Sequence, residues 1–169
     1  GASPAKGETA VTPSPQTPSS HNPAARLPEG DSASEYWDVT IKLDSGHHIV
    51  ARFIITNVGF GDRNGIAFGH LVHPDGSWVA FRNGKLQGSW RLTGNDQSLD
   101  IGGCHLFMEE NPYRFWINKD DVKIDLRFAP NSTLATPSAA TPAGYHLDVL
   151  ALAAPVAGTL WLDDEAAPR

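Results

Sequence analysis

Cysteine and methionine are almost absent from this chain of 169 residues, which has one of each, Cys104 and Met108. A single cysteine cannot form an intramolecular disulfide or a cysteine-based zinc site. Long apolar runs are absent as well, since none approaches the ~18 residues that a membrane-spanning helix needs. The most apolar stretch, residues 147–162, is interrupted by Pro155 and Gly158. We therefore expect no stable membrane insertion.

Positive charge is in deficit. The 13 Lys and Arg residues are outnumbered by 19 Asp and Glu, for a net charge of −6, and they form no basic stripe. Because phosphate backbones are bound by clustered cationic side chains, we expect no nucleic-acid partner. A G-x-S-x-G nucleophile motif is also missing, and the adjacent Cys104 and His105 would face opposite sides of a strand. No catalytic residue is assigned, and an enzyme is the less favoured interpretation.

The chain does contain, from Tyr36 to Phe128, a succession of short runs in which apolar and polar residues alternate. Turn sequences separate the runs, among them Asp44-Ser45-Gly46, Pro74-Asp75-Gly76 and Asn83-Gly84. Glycine, asparagine and aspartate supply the positive φ that tight hairpin turns need. No helical period of useful length is present. The pattern predicts an all-β fold, an antiparallel meander of about nine strands that closes into a β-barrel or a sandwich.

Composition divides the chain into a leader and one domain. Residues 1–33 are rich in Pro, Ser and Thr and predict a disordered leader, because they hold too little apolar surface to offset the entropy of ordering. Residues 34–165 predict the β domain, which includes two late apolar runs at 145–151 and 159–162. A leader of this composition is typical of secreted and periplasmic proteins after removal of a signal peptide, so we expect an extracytoplasmic protein.

Two of the predicted strands are apolar on both faces. Residues 49–56 and 66–73 place apolar side chains at both odd-numbered and even-numbered positions. A strand of this kind is covered on both sides or lines an apolar cavity. A second sheet, a loop or another subunit would each provide the cover, and a homodimer is one such arrangement.

Four short motifs follow one another as Glu35-Tyr36-Trp37-Asp38, Leu43-Asp44-Ser45-Gly46, His73-Pro74-Asp75-Gly76 and Trp90-Arg91-Leu92. In this order they resemble the opening of the tandem lipocalin-like family, the group of survival-factor/AttH-type and carotenoid 1,2-hydratase-like proteins. The resemblance extends over residues 35–128. It implies a lipocalin-like β-barrel and an apolar ligand, lipid-like or isoprenoid-like.

The family normally has two consecutive barrel-like halves, whereas this chain has room for one. The catalytic residues of the hydratase-like members lie largely in the second half, so the resemblance assigns no catalytic residue to this chain. An isolated first half, a single-domain relative and an assembly of two copies are all compatible with it.

Aromatic residues recur about once per predicted strand and permit two interpretations. Either they fill the core of a large barrel, or some of them line a pocket that stacks on a flat or polyene-like ligand. The second interpretation places four aromatic side chains on the pocket wall, namely Trp37, Phe53, Phe68 and Trp90.

Three polar side chains interrupt otherwise apolar rows, namely Arg52, His70 and His105. Inside a barrel an unpaired Arg or His is costly, so an inward position would mark it as a group that orients the polar end of a ligand. On a solvent-exposed face the same residues need no such role. No cofactor or metal site is predicted, because His70 and His73 are three apart and point to opposite faces of a strand.

Three functions are compatible with these patterns. The first is a non-catalytic binding module that holds an apolar small molecule in the barrel interior. The alternative is an enzyme of the hydratase or cyclase type, in which an inward acid such as Asp38 or Asp100 protonates a hydrophobic substrate. The third is a packed barrel that acts as a structural or interaction domain.

Overall fold

The computed structural model describes residues 2–14, 25, 27, 29–30, 33–58, 61–130 and 151–162 of the chain. Within these residues all regular structure is β-strand, in one antiparallel sheet of 11 strands. The strands are β1 (Ala2–Ser14), β2 (Ser34–Leu43), β3 (His48–Thr56), β4 (Asn64–Val72), β5 (Trp78–Lys85), β6 (Arg91–Thr93), β7 (Ser98–Ile101), β8 (Cys104–Phe107), β9 (Tyr113–Lys119), β10 (Val122–Phe128) and β11 (Ala151–Trp161). The predicted all-β antiparallel class is confirmed. The described part of the chain includes no helix with the length and apolar character to cross a membrane.

The strands follow the order β5-β4-β3-β2-β1-β11-β10-β9-β8-β7-β6, so that chain neighbours are sheet neighbours everywhere except between β5 and β6. β1 and β11 pair in the middle of the sheet, and β5 and β6 form its two edges. The sheet curls until its halves face each other, which brings Cα atoms of β5 within 8 Å of Cα atoms in β7, β9 and β10. The result is a half-barrel with a seam between β5 and β6.

The seam is bridged from the turn between β9 and β10. There the carboxylate of Asp120 accepts a hydrogen bond from the backbone N–H of Arg82 in β5, at 3.1 Å. The side chain of Asn83 lies against Gly102, at a place that any Cβ on this glycine would occupy. An edge strand covered in this way is protected from pairing with another chain.

The predicted hairpin turn at Asn83-Gly84 is wrong, because β5 continues through both residues. Asn83 pairs with Ala67 and Gly84 with Ile66 in the ladder between β4 and β5. The chain turns later, where the backbone N–H of Ser89 donates to the carbonyl oxygen of Leu86 at 2.9 Å. Cross-strand hydrogen bonding here outweighs the local preference of an Asn-Gly pair for a turn.

The core lies on the concave face of the curled sheet, between its two halves. Phe53 of β3 and Phe115 of β9 meet edge to face across this space, with ring centroids 6.3 Å apart and an interplanar angle of 82°. The largest core aromatics are at most 2% exposed, namely Trp37, Phe53, Phe81, Phe115 and Phe128. Burial of this aromatic surface stabilises the folded state together with the aliphatic residues of the core.

β1 lies inside the segment predicted to be a disordered leader, so that prediction is wrong for Ala2–Ser14. Residues 2–9 and 11 pair with β11, with a shift of register between Thr9 and Val11, and residues 7–14 pair with β2. Composition misses this strand because backbone hydrogen bonds to two neighbouring strands hold it, and composition contains no signal for such bonds. Small residues also help, since a Cβ at Gly7 would collide with the carbonyl oxygen of Lys42.

β11 completes the sheet and contains most of the late apolar run predicted at 159–162. It pairs with β10 from Trp161 opposite Lys123 to Val156 opposite Phe128. Of the run predicted at 145–151, only Ala151 belongs to the described residues. Residues 15–24 of the predicted leader also lie outside them.

Candidate functional site

The four aromatic residues predicted to line one pocket are divided between the two faces of the sheet. Trp37 and Phe53 are cross-strand partners on the core face, and both are 0% exposed. Phe68 of β4 pairs instead with Arg52, which lies on the outer face of β3. Side chains alternate strictly along a strand, so Phe68 cannot share a face with Phe53 in this register. The prediction of one interior pocket is corrected accordingly.

Trp90, the fourth aromatic, lies in the connection before β6. Its indole Nε1–H donates to the backbone carbonyl oxygen of Arg63 at 2.7 Å. Its ring covers Gly65, where a Cβ would come within 2.8 Å of the indole. Trp90 thus connects the loop before β4 to the connection between β5 and β6. Its role is structural.

The largest core aromatics are buried on the concave face of the sheet. At the surface, cavities with volumes between about 300 and 700 Å³ that are lined by described residues open to solvent. The cavity that matters most for the predicted residues is a groove of about 340 Å³ on the outer face of β2, β3 and β4. We call it the outer groove. It is lined by Asp38, Thr40, Val50, Ala51, Arg52, Phe68, Gly69 and His70.

The register of the sheet explains the shape of the outer groove. Two parallel rows of outward side chains cross the three strands, Asp38, Arg52 and Phe68 in one and Thr40, Val50 and His70 in the other. The backbone of Ala51 and Gly69 forms the floor between the rows. The outer groove therefore runs across the strands and brings together Arg52, Phe68 and His70, three of the residues predicted to bind a ligand.

One wall of the outer groove carries a paired charge. The guanidinium of Arg52 donates to both carboxylate oxygens of Asp38, with Nε–Oδ1 at 2.5 Å and Nη2–Oδ2 at 2.8 Å. The Arg52 guanidinium also lies over the ring of Tyr36, 4.4 Å from its centroid. Hydrogen bonding to Asp38 raises the pKa of Arg52. The pair fixes two polar groups in place and leaves the wall without net charge.

The outer groove also has apolar and aromatic side chains in and beside it. Val50 is 49% exposed and forms part of the wall opposite Phe68. The ring of His70 meets the indole of Trp78 edge to face, with centroids 4.8 Å apart. Trp78 is itself 60% exposed, which is a large exposure for an indole. Exposed apolar side chains beside a cavity are typical of a binding surface.

His105 lies far from the outer groove, on the outer face of β8. Its ring packs edge to face on Trp116, and its Nε2 is 3.4 Å from Oδ1 of Asp100. Arg91 donates to Oδ2 of the same carboxylate at 2.8 Å. Burial lowers the pKa of His105, and the nearby charge of Asp100 opposes this effect. His105 is thus a member of a separate polar cluster, and the structure does not bring it to Arg52 or His70.

The thiol of Cys104 is not accessible for chemistry. Cys104 is fully buried, and burial raises the pKa of its thiol to about 12, so it is not a nucleophile at neutral pH. Among the described residues no group of three His, Cys, Asp or Glu side chains is placed to hold a metal ion.

The sequence did not single out Thr40 and Val50, which line the outer groove, or Trp78, which lies beside it. Alternation does place Val50 on the same face as Arg52, so the signal for that residue was present. The positions of Thr40 and Trp78 depend on the register between β2 and β3 and between β4 and β5. Register follows from pairing over the whole sheet, and a single strand sequence does not contain it.

Comparison with protein-family models, with curated proteins and with solved structures finds no match to this chain. The resemblance to tandem lipocalin-like proteins therefore stays a prediction from its motifs.

Proposed function

We propose that the protein is a non-catalytic binding module for an apolar small molecule, lipid-like or isoprenoid-like, which it holds in the outer groove. The observation that carries the proposal is the meeting of Arg52, Phe68 and His70 in one cavity of about 340 Å³. Ligand sites typically combine a mostly apolar lining with a few polar groups that fix orientation. The sequence predicts a ligand in the barrel interior. The burial of the largest core aromatics there, and the exposure of the outer groove to solvent, support a site on the outer face instead.

The outer groove offers both kinds of contact. Phe68 and Val50 supply apolar surface on opposite walls. Beside the outer groove, the exposed indole of Trp78 packs against His70. The ion pair of Arg52 and Asp38 supplies a fixed donor and acceptor at the other end. Removal of water from such exposed apolar side chains by a ligand is favourable in proportion to the area covered.

A hydratase or cyclase needs an acid that delivers a proton to its substrate. Asp38 accepts hydrogen bonds from Arg52 at both carboxylate oxygens. Asp100 contacts His105 through one oxygen and Arg91 through the other. Both candidate acids thus have their two oxygens engaged, which favours binding over catalysis.

A packed structural or interaction domain is the second candidate, and one observation favours it. The core aromatics are at most 2% exposed, so the interior of the half-barrel has no need of a ligand to fill it. In that case the exposed apolar side chains of the outer face, Val50 and Trp78, would contact a macromolecule.

Native mass spectrometry and thermal shift test the proposed function. Protein purified from its producing cells is expected to carry a co-purifying lipid or terpenoid mass. The apoprotein should be stabilised by members of a panel containing dodecanol, farnesol and retinol, because a ligand that binds only the folded state raises the melting temperature. Val50→Lys should abolish the shift, since it fills the outer groove with a charged chain.

Val58→Lys is the matched control, because Val58 is similarly exposed, at 55% against 49% for Val50, and does not line the outer groove. It should leave the thermal shift intact. A bare apoprotein mass together with no shift for any compound of the panel would overturn the proposal in favour of the packed domain. Conversion of a panel compound into a new product would overturn it in favour of an enzyme.

A further inference from the structure

A second cavity, with a volume of about 700 Å³, lies over the middle of the sheet, where β1, β11 and β10 run side by side. We call it the central groove. It is open to solvent and shares no lining residue with the outer groove. Its lining combines small and apolar residues with three charged ones, Lys6, Asp44 and Arg127.

Two cationic side chains stand on either side of a small residue in the central groove. Lys6 of β1 and Arg127 of β10 both pair with Ala157 of β11, so that the three residues form one row across the outer face. Two strand spacings, or about 10 Å, separate the Cα atoms of the two cations. Only the methyl group of Ala157 stands between them. Because both cationic side chains are long and exposed, their ends can converge on an anion above this methyl group.

Positive charge is in surplus along this row. Arg114 holds Asp125 through two hydrogen bonds of 2.9 Å, and these bonds lower the pKa of Asp125. Arg127 approaches the same carboxylate only to 3.5 Å, so two guanidiniums share one negative charge. Among the described carboxylates, none lies within ion-pair distance of Lys6. Lys6 and Arg127 are therefore available to an anion.

Nearby carboxylates limit the charge that the central groove accepts. Asp44 lines it beside Lys6, where the backbone N–H of Asp44 donates to the carbonyl oxygen of Lys6 at 2.7 Å. On the other side, Glu109 and Glu110 line a neighbouring cavity together with Arg127. These carboxylates disfavour a ligand with several negative charges, and a single charge is the better match.

The next outward positions along β11 and β10 are apolar. Pro155 lies two residues from Ala157 on the same face of β11, and Ala129 lies two residues beyond Arg127. Pro112, from the connection between β8 and β9, adds its ring to this side of the central groove. A ligand that covers these side chains removes apolar surface from water, which is favourable.

We propose that the central groove binds a small organic carboxylate. The carboxylate group lies above Ala157 and accepts hydrogen bonds from Lys6 and Arg127. The apolar body of the ligand covers the rings of Pro112 and Pro155. This site is separate from the outer groove, and it does not depend on the function proposed for that groove.

Isothermal titration with 2-naphthoate, 2-naphthamide and acetate tests the ligand class. 2-Naphthoate should bind at least about tenfold more tightly than 2-naphthamide, which has the same apolar body without the charge. Acetate, which has the carboxylate alone, should bind more weakly than 2-naphthoate. Added NaCl should weaken the binding of 2-naphthoate, because it screens exposed charges. Equal affinity for 2-naphthoate and 2-naphthamide, or no binding of 2-naphthoate, would overturn the proposal.

Charge variants test the two cations. Lys6→Gln and Arg127→Gln should each weaken the binding of 2-naphthoate about twofold to fivefold, the range expected from an exposed ion pair. Asp44→Asn should strengthen it, because it removes a negative charge beside Lys6. Lys42→Gln is the matched control, since Lys42 is an exposed lysine that does not line the central groove. An equal loss in Lys42→Gln would show that overall charge attracts the anion and would overturn the assignment of the site.

A larger side chain between the two cations tests the location. Ala157→Leu fills the gap without a change of charge and should abolish the binding of 2-naphthoate. Ala80→Leu is the control, because Ala80 is an exposed alanine of β5 outside the central groove. Thermal unfolding checks that both variants fold. Unchanged binding in Ala157→Leu, or loss of 2-naphthoate binding in Val50→Lys, would overturn the proposed site. Because Val50→Lys blocks only the outer groove, failure of this site and failure of the proposed function are distinguishable.

Discussion

Arg52 and Asp38 face each other across β3 and β2, and the guanidinium of Arg52 donates to both oxygens of the Asp38 carboxylate, at 2.5 and 2.8 Å. The pair is a direct consequence of register, because the two residues are cross-strand partners. It also forms the polar wall of the outer groove, where it provides a donor and an acceptor without net charge.

The pair should contribute little to stability. Its side chains are 41% and 34% exposed, and exposed ion pairs typically contribute about 0.2–1 kcal/mol. A double-mutant cycle with Arg52→Gln and Asp38→Asn, measured by urea unfolding, should therefore give a coupling energy in this range. A coupling of several kcal/mol would contradict this expectation and show that the pair is a structural element of the sheet.

Stability should fall on mild acidification. Burial lowers the pKa of His47 and of His105 in the folded state. An unfolded histidine has a pKa of about 6.5, so as the pH falls below this value the unfolded chain binds protons at these two positions before the folded protein does. The free energy of unfolding is thus highest above this unfolded value and decreases as the pH falls through the lower folded values. Urea unfolding at a series of pH values measures the slope.

Histidine variants provide the controls for this pH dependence. His47→Gln and His105→Gln should each make the acid-side decrease of the free energy of unfolding shallower. His48→Gln alters an exposed neighbour on the opposite face of the chain and should leave the slope unchanged. An equal effect of all three substitutions would contradict burial as the cause.

Gly69 should be intolerant of a side chain. A Cβ at this position would lie 2.8 Å from Cζ of Phe81 and would collide with the carbonyl oxygen of Val50. Gly69→Ala is expected to lower the free energy of unfolding by about 1–3 kcal/mol, because the packed core cannot absorb the added volume. Gly84→Ala is the control, since no atom lies within 4 Å of its Cβ position. A similar loss in both variants would point to a general backbone effect of alanine.

Cys104 should resist alkylation in the folded protein. Its side chain is fully buried, and burial raises the pKa of the thiol to about 12. We expect no measurable carboxamidomethylation by iodoacetamide at mildly alkaline pH, and complete modification after denaturation in urea. Intact mass spectrometry distinguishes the two states, and rapid modification of the native protein would show that the strand pair β8–β9 opens readily.

Much of the fold could be predicted from the alternation of apolar and polar residues along the chain. Strands β2 to β10 lie within residues 34–128, close to the segment 36–128 in which successive short runs and turn sequences predict an antiparallel meander. Asn83-Gly84 shows the limit of such local signals, since a strong turn sequence became part of a strand once β4 was present to pair with it. The predicted leader shows the converse, a segment without strand signals that forms a strand. Backbone hydrogen bonds to two strands distant in sequence hold β1 in the sheet.

The candidate site was predictable only in part. Arg52, Phe68 and His70 were singled out as candidates, and the structure places them together in the outer groove. Their grouping with Trp37 and Phe53 was wrong, because alternation says which residues of one strand share a face and says nothing about the faces of different strands.

The sequence by itself determined an all-β chain and the alternation within its main strands, since turn preferences and side-chain periodicity are local properties of the backbone. Only the tertiary structure decided the register between strands, and with it which face became the core. Register depends on the simultaneous pairing and packing of strands distant in sequence. That non-local choice buried Trp37 and Phe53, left Phe68 beside Arg52, and placed the outer groove on the outside of the half-barrel.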